Sequence, residues 1–212
     1  CSSDLGVKVI IGVPDMKVHA KICLIKKLVN NKPILYGFVS TGNINERTAR
    51  IYGDHCLLTA DKNIMADVNR IFRYLEQPKM RPHFLRACKT IIVSPDGMRS
   101  QLMALIQKEI NTAKAKKPAA ITLKLNSLSD EIFIEKLYEA ARAGVVIKMV
   151  IRGIFCMLTQ NSKFKEVYAI SIVDEYLEHA RIIVFHNGGD EKVFISSADW
   201  MVRNLDHRLE VA

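Results

Sequence analysis

No apolar stretch of this 212-residue chain approaches the roughly 18 residues that a membrane-spanning helix requires. The expectation is therefore a cytoplasmic protein whose contact with the inner membrane, if any, is peripheral. The five cysteines, at 1, 23, 56, 88 and 156, show neither CxxC nor zinc spacing. That excludes a disulfide framework and a zinc site, and leaves reduced, buried thiols as the expectation. One Trp and no basic tract interleaved with aromatics argue against a single-strand nucleic-acid groove, so nucleic acid is not an expected partner. There is no GxxxxGK[ST] loop, no GxGxxG turn and no DFG triplet, which excludes the common cradles for nucleotide phosphates. Low-complexity sequence is absent too. Residue 1 is Cys rather than Met, and the chain reads as a fragment of something longer.

What is present is an ordinary globular composition, 49% hydrophobic and 25% charged, with a net charge of +9. Such a basic balance favours polyanionic partners. Short apolar stretches at 7–11, 19–26, 34–40 and 54–58 read as strands, with a turn at Asn30-Asn31-Lys32-Pro33. Asp61 stands as an N-cap before Ile64, Val68, Ile71, Phe72 and Leu75, whose spacing predicts a helix that stops before Pro78. The segment 77–82 is the best boundary, giving units 1–78 and 79–212. Beyond it, strands at 90–93, 119–125 and 145–151 alternate with helices carried by Leu102, Leu105, Ile106, Ile110 and Ala113, and by Ile134, Leu137, Tyr138 and Ala141. Gly144 caps the second helix. This alternation predicts an α/β fold with mixed sheets flanked by helices. Strands at 181–186, 192–197 and 206–211 are expected to complete the second sheet.

The chain also says one thing twice. His19-Ala20-Lys21-Ile22 is echoed by His179-Ala180-Arg181-Ile182, and Ser40-Thr41-Gly42-Asn43 by Ser196-Ser197-Ala198-Asp199. A third echo sets Asp54-His55-Cys56-Leu57 against Asp206-His207-Arg208-Leu209. The order of the echoes argues for internal duplication. Strand periodicity puts His and the cation two residues later on one face. Two such units facing each other gather two imidazoles and two cations around one cleft, which suits a phosphoryl group. Neutral imidazole is a competent nucleophile near pH 7. Gly42 permits close approach, and Asn43 and Asn45 offer amide donors. Tyr52 can stack on a base or donate its hydroxyl. Arg152 ends an apolar strand where open α/β sheets bind ligands, with Lys124 and Asn126 ending the neighbouring strand. Asp130 reads as an N-cap rather than a metal ligand.

The paired His-x-(Lys/Arg) units resemble the phospholipase-D-like superfamily. The match to its phosphodiesterases is incomplete, because Lys26 and His186 stand where an Asp belongs seven residues after each His. Gly42-Asn43-Ile44-Asn45 fits the following Gly-x-x-Asn, whereas Ala198-Asp199-Trp200-Met201 does not. The strings KVHAKICLI, STGNINERTARIYGDH, ITLKLNSL, VIRGI, SIVDEYLEHARI and SSADWMVRNLDHR are similar, nearly end to end, to the two carboxyl-terminal phospholipase-D-like domains of the bacterial polyphosphate kinase family. That resemblance implies reversible transfer of the terminal phosphate of ATP to inorganic polyphosphate. It makes His19 the phosphorylated nucleophile, and Tyr52, Arg152 and His179 contacts to ATP and phosphate. Lys21 and Arg181 would spread the transition-state charge, with His179 acting as acid/base or second donor. The resemblance further implies Mg²⁺, held by residues upstream of this chain, and a homo-oligomeric full-length enzyme. Two other readings stay open: a phospholipase-D-type phosphodiesterase and a non-catalytic polyanion-binding module.

Overall fold

The computed structural model describes residues 6–10, 12–79, 83–159 and 166–212. A two-residue strand, β1 (Lys17–Val18), precedes a long hairpin of β2 (Lys21–Val29) and β3 (Lys32–Ser40). The hairpin turns through Asn30 and Asn31, both at positive φ (51° and 60°). Such two-residue turns match strand twist, and Asn tolerates the left-handed region. The turn is thus tighter than expected, since Lys32 and Pro33 already belong to β3. A 3-10 turn at Thr48–Arg50, β4 (Tyr52–Gly53) and β5 (Cys56–Thr59) follow. Helix α1 (Lys62–Glu76) begins as expected: the Asp61 carboxylate accepts from the backbone N–H groups of Asn63 and Ile64, both at 2.9 Å.

Next come α2 (His83–Arg86), β6 (Val93–Ser94), α3 (Met98–Lys114), β7 (Ala120–Leu125), α4 (Glu131–Ala143) and β8 (Val146–Ile151). The chain then runs through β9 (Val167–Ile170), β10 (Leu177–Glu178), β11 (Arg181–Phe185), β12 (Lys192–Ser196), α5 (Val202–Asp206) and β13 (Arg208–Val211). Asp130 caps α4 by accepting from Phe133 N at 3.0 Å, and Gly144 ends it in the left-handed region.

Strands order as β12-β11-β7-β8-β9 in the larger sheet, with β7, β8 and β9 parallel and β11 antiparallel to both its neighbours. Alternate residues of β7 and β8 (Ile121, Leu123, Leu125; Ile147, Met149, Ile151) join Leu102, Ile106, Phe133 and Leu137 of α3 and α4 in one core. A smaller sheet orders β2-β3-β5. Its core combines Val39 with Met65, Val68 and Ile71 of α1, and also with Ile91, Val93, Leu209 and Val211.

Three expectations change. Strand β13 does not complete the larger sheet; it lies between β1 and β6. Its apolar residues Leu209 and Val211 are claimed by the α1 core, and strand propensity does not encode which neighbour takes an edge. The expected strand at 7–11 is not formed over residues 6–10, where Val7, Val9 and Ile10 are exposed, and Ile11 lies outside the described residues. Of the 77–82 boundary, residues 80–82 lie outside them as well. Among the cysteines, Cys56 and Cys156 are exposed and Cys23 and Cys88 half-buried, all four free. Cys1 lies outside the described residues; Cys23 and Cys56 are on strands, whose successive residues face opposite ways, while Cys88 and Cys156 lie outside any strand.

Candidate active site

The duplication is visible in backbone hydrogen bonds. Strand β1 runs parallel to β13 and β10 parallel to β4, pairing Val18 with Leu209 and Glu178 with Gly53. His19 and Ala20 both donate their N–H to Leu209 O, at 2.9 and 3.0 Å; His179 and Ala180 both donate to Gly53 O, at 3.2 and 2.9 Å. Thr41 N donates to His55 O and Ser197 N to Val211 O. Gly42 N and Ala198 N each donate to the hydroxyl two residues back, Ser40 Oγ and Ser196 Oγ. These equivalences pair His19 with His179, and Gly53-Asp54-His55 with Leu209-Glu210-Val211. The third sequence echo is therefore corrected: the counterpart of Asp54 is Glu210, while Asp206, the last residue of α5, is held by Arg99.

Each histidine is oriented by a carboxylate from the opposite half. His19 Nδ1 lies 2.8 Å from Glu210 Oε2, and His179 Nδ1 lies 2.8 Å from Asp54 Oδ1. Glu210 is fully buried and accepts from Ser197 Oγ at 2.5 Å and Asn204 Nδ2 at 2.8 Å. Asp54 accepts from Thr41 Oγ1 at 2.6 Å. Burial works to raise the Asp54 carboxyl, but the hydrogen bonds from His179 and Thr41, with the charge of Arg181, hold it below the usual carboxylate range. Because a carboxylate only accepts, each neutral ring carries its proton on Nδ1 and its lone pair on Nε2. This is the tautomer that a nucleophilic imidazole needs.

His19 opens onto a polar cleft of 290 Å³ lined also by Asn126, Arg152, Arg181, Arg203 and Arg208. Arg181 is buried and tied to Asp199 at 3.1 Å and to Thr41 O at 3.2 Å. Its Nη1 also lies 3.2 Å from His179 Nε2, so this one guanidinium touches one histidine and lines the cleft of the other. Arg152 donates to Asn126 Oδ1 at 2.5 Å, and the Asn126 amide donates to His179 O at 3.2 Å. Lys21 reaches the His19 carbonyl at 2.5 Å. Burial pushes its ammonium down to about 8, against the pull of Glu210.

The structure thus gathers His19, Arg152 and Arg181 around one space and sets His179 directly behind Arg181. Tyr52 lies beside His179, ring centroids 4.9 Å apart, and borders a separate hollow with Asn43, Asn45 and Asp54. Lys21, Asn43 and Asn45 line a further hollow next to it. Asn45 Oδ1 is engaged by the backbone N–H groups of Arg47 and Thr48. Lys124 is paired with Glu178 at 3.0 Å and with Ala180 O, and it does not line the His19 cleft. Sequence reasoning missed Glu210 and did not give Asp54 a role. The available signal was an acid directly after the residue that pairs with each His-bearing strand, which needs the register to be read.

Comparisons with known proteins match this geometry with a family. A model of the "Polyphosphate kinase C-terminal domain 2" matches residues 91–212, and one of the "Polyphosphate kinase C-terminal domain 1" matches residues 3–81. This chain belongs to the polyphosphate kinase family. A polyphosphate kinase of Vibrio vulnificus is 50% identical over 210 residues, and that of Escherichia coli K12 is 44% identical over 212; each alignment covers 99% of this chain. The chain spans only 29% and 30% of those relatives' lengths. The crystal structure of polyphosphate kinase from Porphyromonas gingivalis superposes with a TM-score of 0.90 at 41% identity, covering 99% of this chain and 32% of that one. The α/β class with mixed sheets flanked by helices stands as expected.

The family resemblance also implies Mg²⁺. Among the described residues no group of three His, Cys, Asp or Glu side chains could hold a metal. The carboxylates at the site are already engaged: Glu210 by three donors, Asp54 by His179 and Thr41, and Asp199 by Arg181 and the N–H groups of Asn126 and Ser127. These residues do not fit a magnesium site of their own.

Proposed function

We propose that this chain carries the phosphoryl-transfer centre of a polyphosphate kinase, which moves the terminal phosphate of ATP reversibly onto inorganic polyphosphate. The observation that carries this reading is the His19–Glu210 pair, whose free Nε2 belongs to a cleft lined by four arginines. Nε2 of His19 attacks the γ-phosphorus, the bond from that phosphorus to the β,γ-bridging oxygen breaks, and ADP leaves with the electron pair. A terminal oxygen of polyphosphate then attacks the phosphohistidine, and the P–N electrons return to Nε2. Arg152 and Arg181, which line the cleft, stabilise charge on the transferring group, the largest lever available to phosphoryl transfer, and Lys21, held on the His19 carbonyl outside that lining, adds positive charge nearby. Glu210 stabilises the positive ring that forms on attack. His179, with Asp54, serves as acid/base or second donor to the phosphate.

Mg²⁺ in this reading is held elsewhere in the longer protein. The same resemblance supports a homo-oligomeric enzyme working in the cytoplasm, free or at the inner membrane. No helix among the described residues is long and apolar enough to cross a membrane. The test is to mix the full-length protein with γ-labelled ATP. Acid-labile, alkali-stable label on the protein, lost in His19→Ala together with product, is the expected result. Hydrolysis of a phosphodiester, or binding without label, would replace this reading with one of its two competitors.

A further inference from the structure

The four guanidinium groups of the His19 cleft differ in what they already hold. Arg152 is bound to Asn126, and Arg181 to Asp199 and Thr41. The guanidinium groups of Arg203 on α5 and Arg208 at the start of β13 make no hydrogen bond or ion pair among the described residues. Arg208 also bears with like charge on the Lys21 ammonium. Asp199, the acid in the cleft's lining, and Glu210, buried behind His19, are consumed by other donors. Two unpaired cations facing the cleft of the nucleophile suit an anion that the chain does not supply.

The duplication provides a control. Since Leu209 is equivalent to Gly53, Arg208 is equivalent to Tyr52. The fold therefore does not require a guanidinium at this place: one half puts a phenol beside its histidine and the other puts a cation in the lining of its histidine's cleft. Arg208 shares a strand face with Glu210, two residues on, whose carboxylate holds His19. Arg203 directly precedes Asn204, whose amide holds Glu210. Both cations ride on the elements that fix the nucleophile, Arg203 exposed and Arg208 half-buried.

We infer that Arg203 and Arg208 form a subsite for the polyphosphate chain on the His19 side. The inference rests on the phosphoryl-transfer reading above. Polyphosphate offers a row of charged tetrahedra and no ring to stack on. Successive guanidinium forks suit it, whereas an aromatic side chain suits a nucleotide.

The test uses the full-length protein with Arg208→Tyr, Arg208→Lys and Arg203→Gln variants. Equilibrium binding is measured for long-chain inorganic polyphosphate and, separately, for a non-hydrolysable ATP analogue. The expected result is at least a tenfold rise in Kd for polyphosphate against a change of threefold or less for the ATP analogue. Arg208→Lys should lie in between, and the salt slope of polyphosphate binding should drop by about 1 for each arginine lost. Equal weakening of both ligands, or unchanged polyphosphate binding by folded variants, would overturn the assignment. Thermal melts report folding, and Arg203→Gln, on an exposed helix position, keeps the test open if Arg208→Tyr fails to fold. A wild-type protein that never forms phosphohistidine sinks the kinase reading, while the binding comparison still decides the subsite.

Discussion

At Glu210 one side chain serves both stability and chemistry. Glu210→Gln keeps the shape but removes the charge that fixes the His19 tautomer and balances the ring as it becomes positive. Turnover of the full-length enzyme should fall by roughly 10³- to 10⁴-fold, the scale seen when a carboxylate behind a catalytic His is neutralised. A melt near wild type would tie the loss to chemistry, and wild-type turnover would remove Glu210 from the mechanism. Gly42 is a second sensitive position. A Cβ there would lie 1.9 Å from Asp54 Oδ2, so Gly42→Ala must displace the carboxylate that orients His179. A misplacement of this size should cost roughly 10²-fold in kcat, while Ala198→Gly at the equivalent place should change stability by about 1 kcal/mol or less. Lys21 gives a pH signature. It is a cation below its pKa, which burial has brought down to about 8. Phosphate affinity should therefore decline as pH rises through 8, and Lys21→Arg should flatten that limb. An identical decline in Lys21→Arg would assign it to another group.

Among the elements, α1 is joined to the segment after α2 by one buried acid. Asp67 accepts the backbone N–H groups of Lys89, Thr90 and Ile91 at 2.9, 2.7 and 3.0 Å, and pairs with Arg70. Asp67→Ala leaves the buried Ile91 donor unmet, with the part-buried bonds of Lys89 and Thr90 lost as well, and should cost about 1–3 kcal/mol, measurable by urea titration; a loss below about 0.5 kcal/mol would show that the segment finds other partners. Helices were the elements most legible in the sequence. The Val68-Ile71-Phe72-Leu75 stripe, the Asp61 and Asp130 caps and the Gly144 stop are local signals, and local physics decides them. Partnership between strands is not local. Nothing in Arg208-Leu209-Glu210-Val211 says that Leu209 will face α1 rather than the larger sheet. Because that register was hidden, the carboxylate behind His19 was hidden with it. The third echo aligned identical letters, Asp-His with Asp-His, whereas the fold aligns positions, an acid after Gly53 with an acid after Leu209. The His-x-(Lys/Arg) spacing was legible because both residues lie on one short stretch.

For the whole molecule, the +9 charge should make the 212-residue chain a polyphosphate binder even without the rest of the protein. With four or more phosphate contacts the slope of log affinity on log salt should be about −3, by analogy with single-stranded polyanions. Calorimetry at two salt concentrations measures this, and a salt-independent affinity would mean that charge is not what binds. Turnover is a different matter. We expect little synthesis from this chain alone, since its acids are engaged and no metal cluster forms among its described residues. Turnover by the 212-residue chain at the full-length rate would refute that account. The proposed units 1–78 and 79–212 share a core through Ile91, Val93, Leu209 and Val211, so cutting between them should expose apolar surface on both. The crossed carboxylates reach further back. Glu210 serves the histidine of the first copy and Asp54 that of the second, so a lone copy of the repeat has an acid with no histidine to serve and a histidine with no acid. A single copy could complete its histidine–carboxylate pair only by trading acids with a twin. The two copies are no longer alike at the site, since Arg208 in one stands where the other has Tyr52.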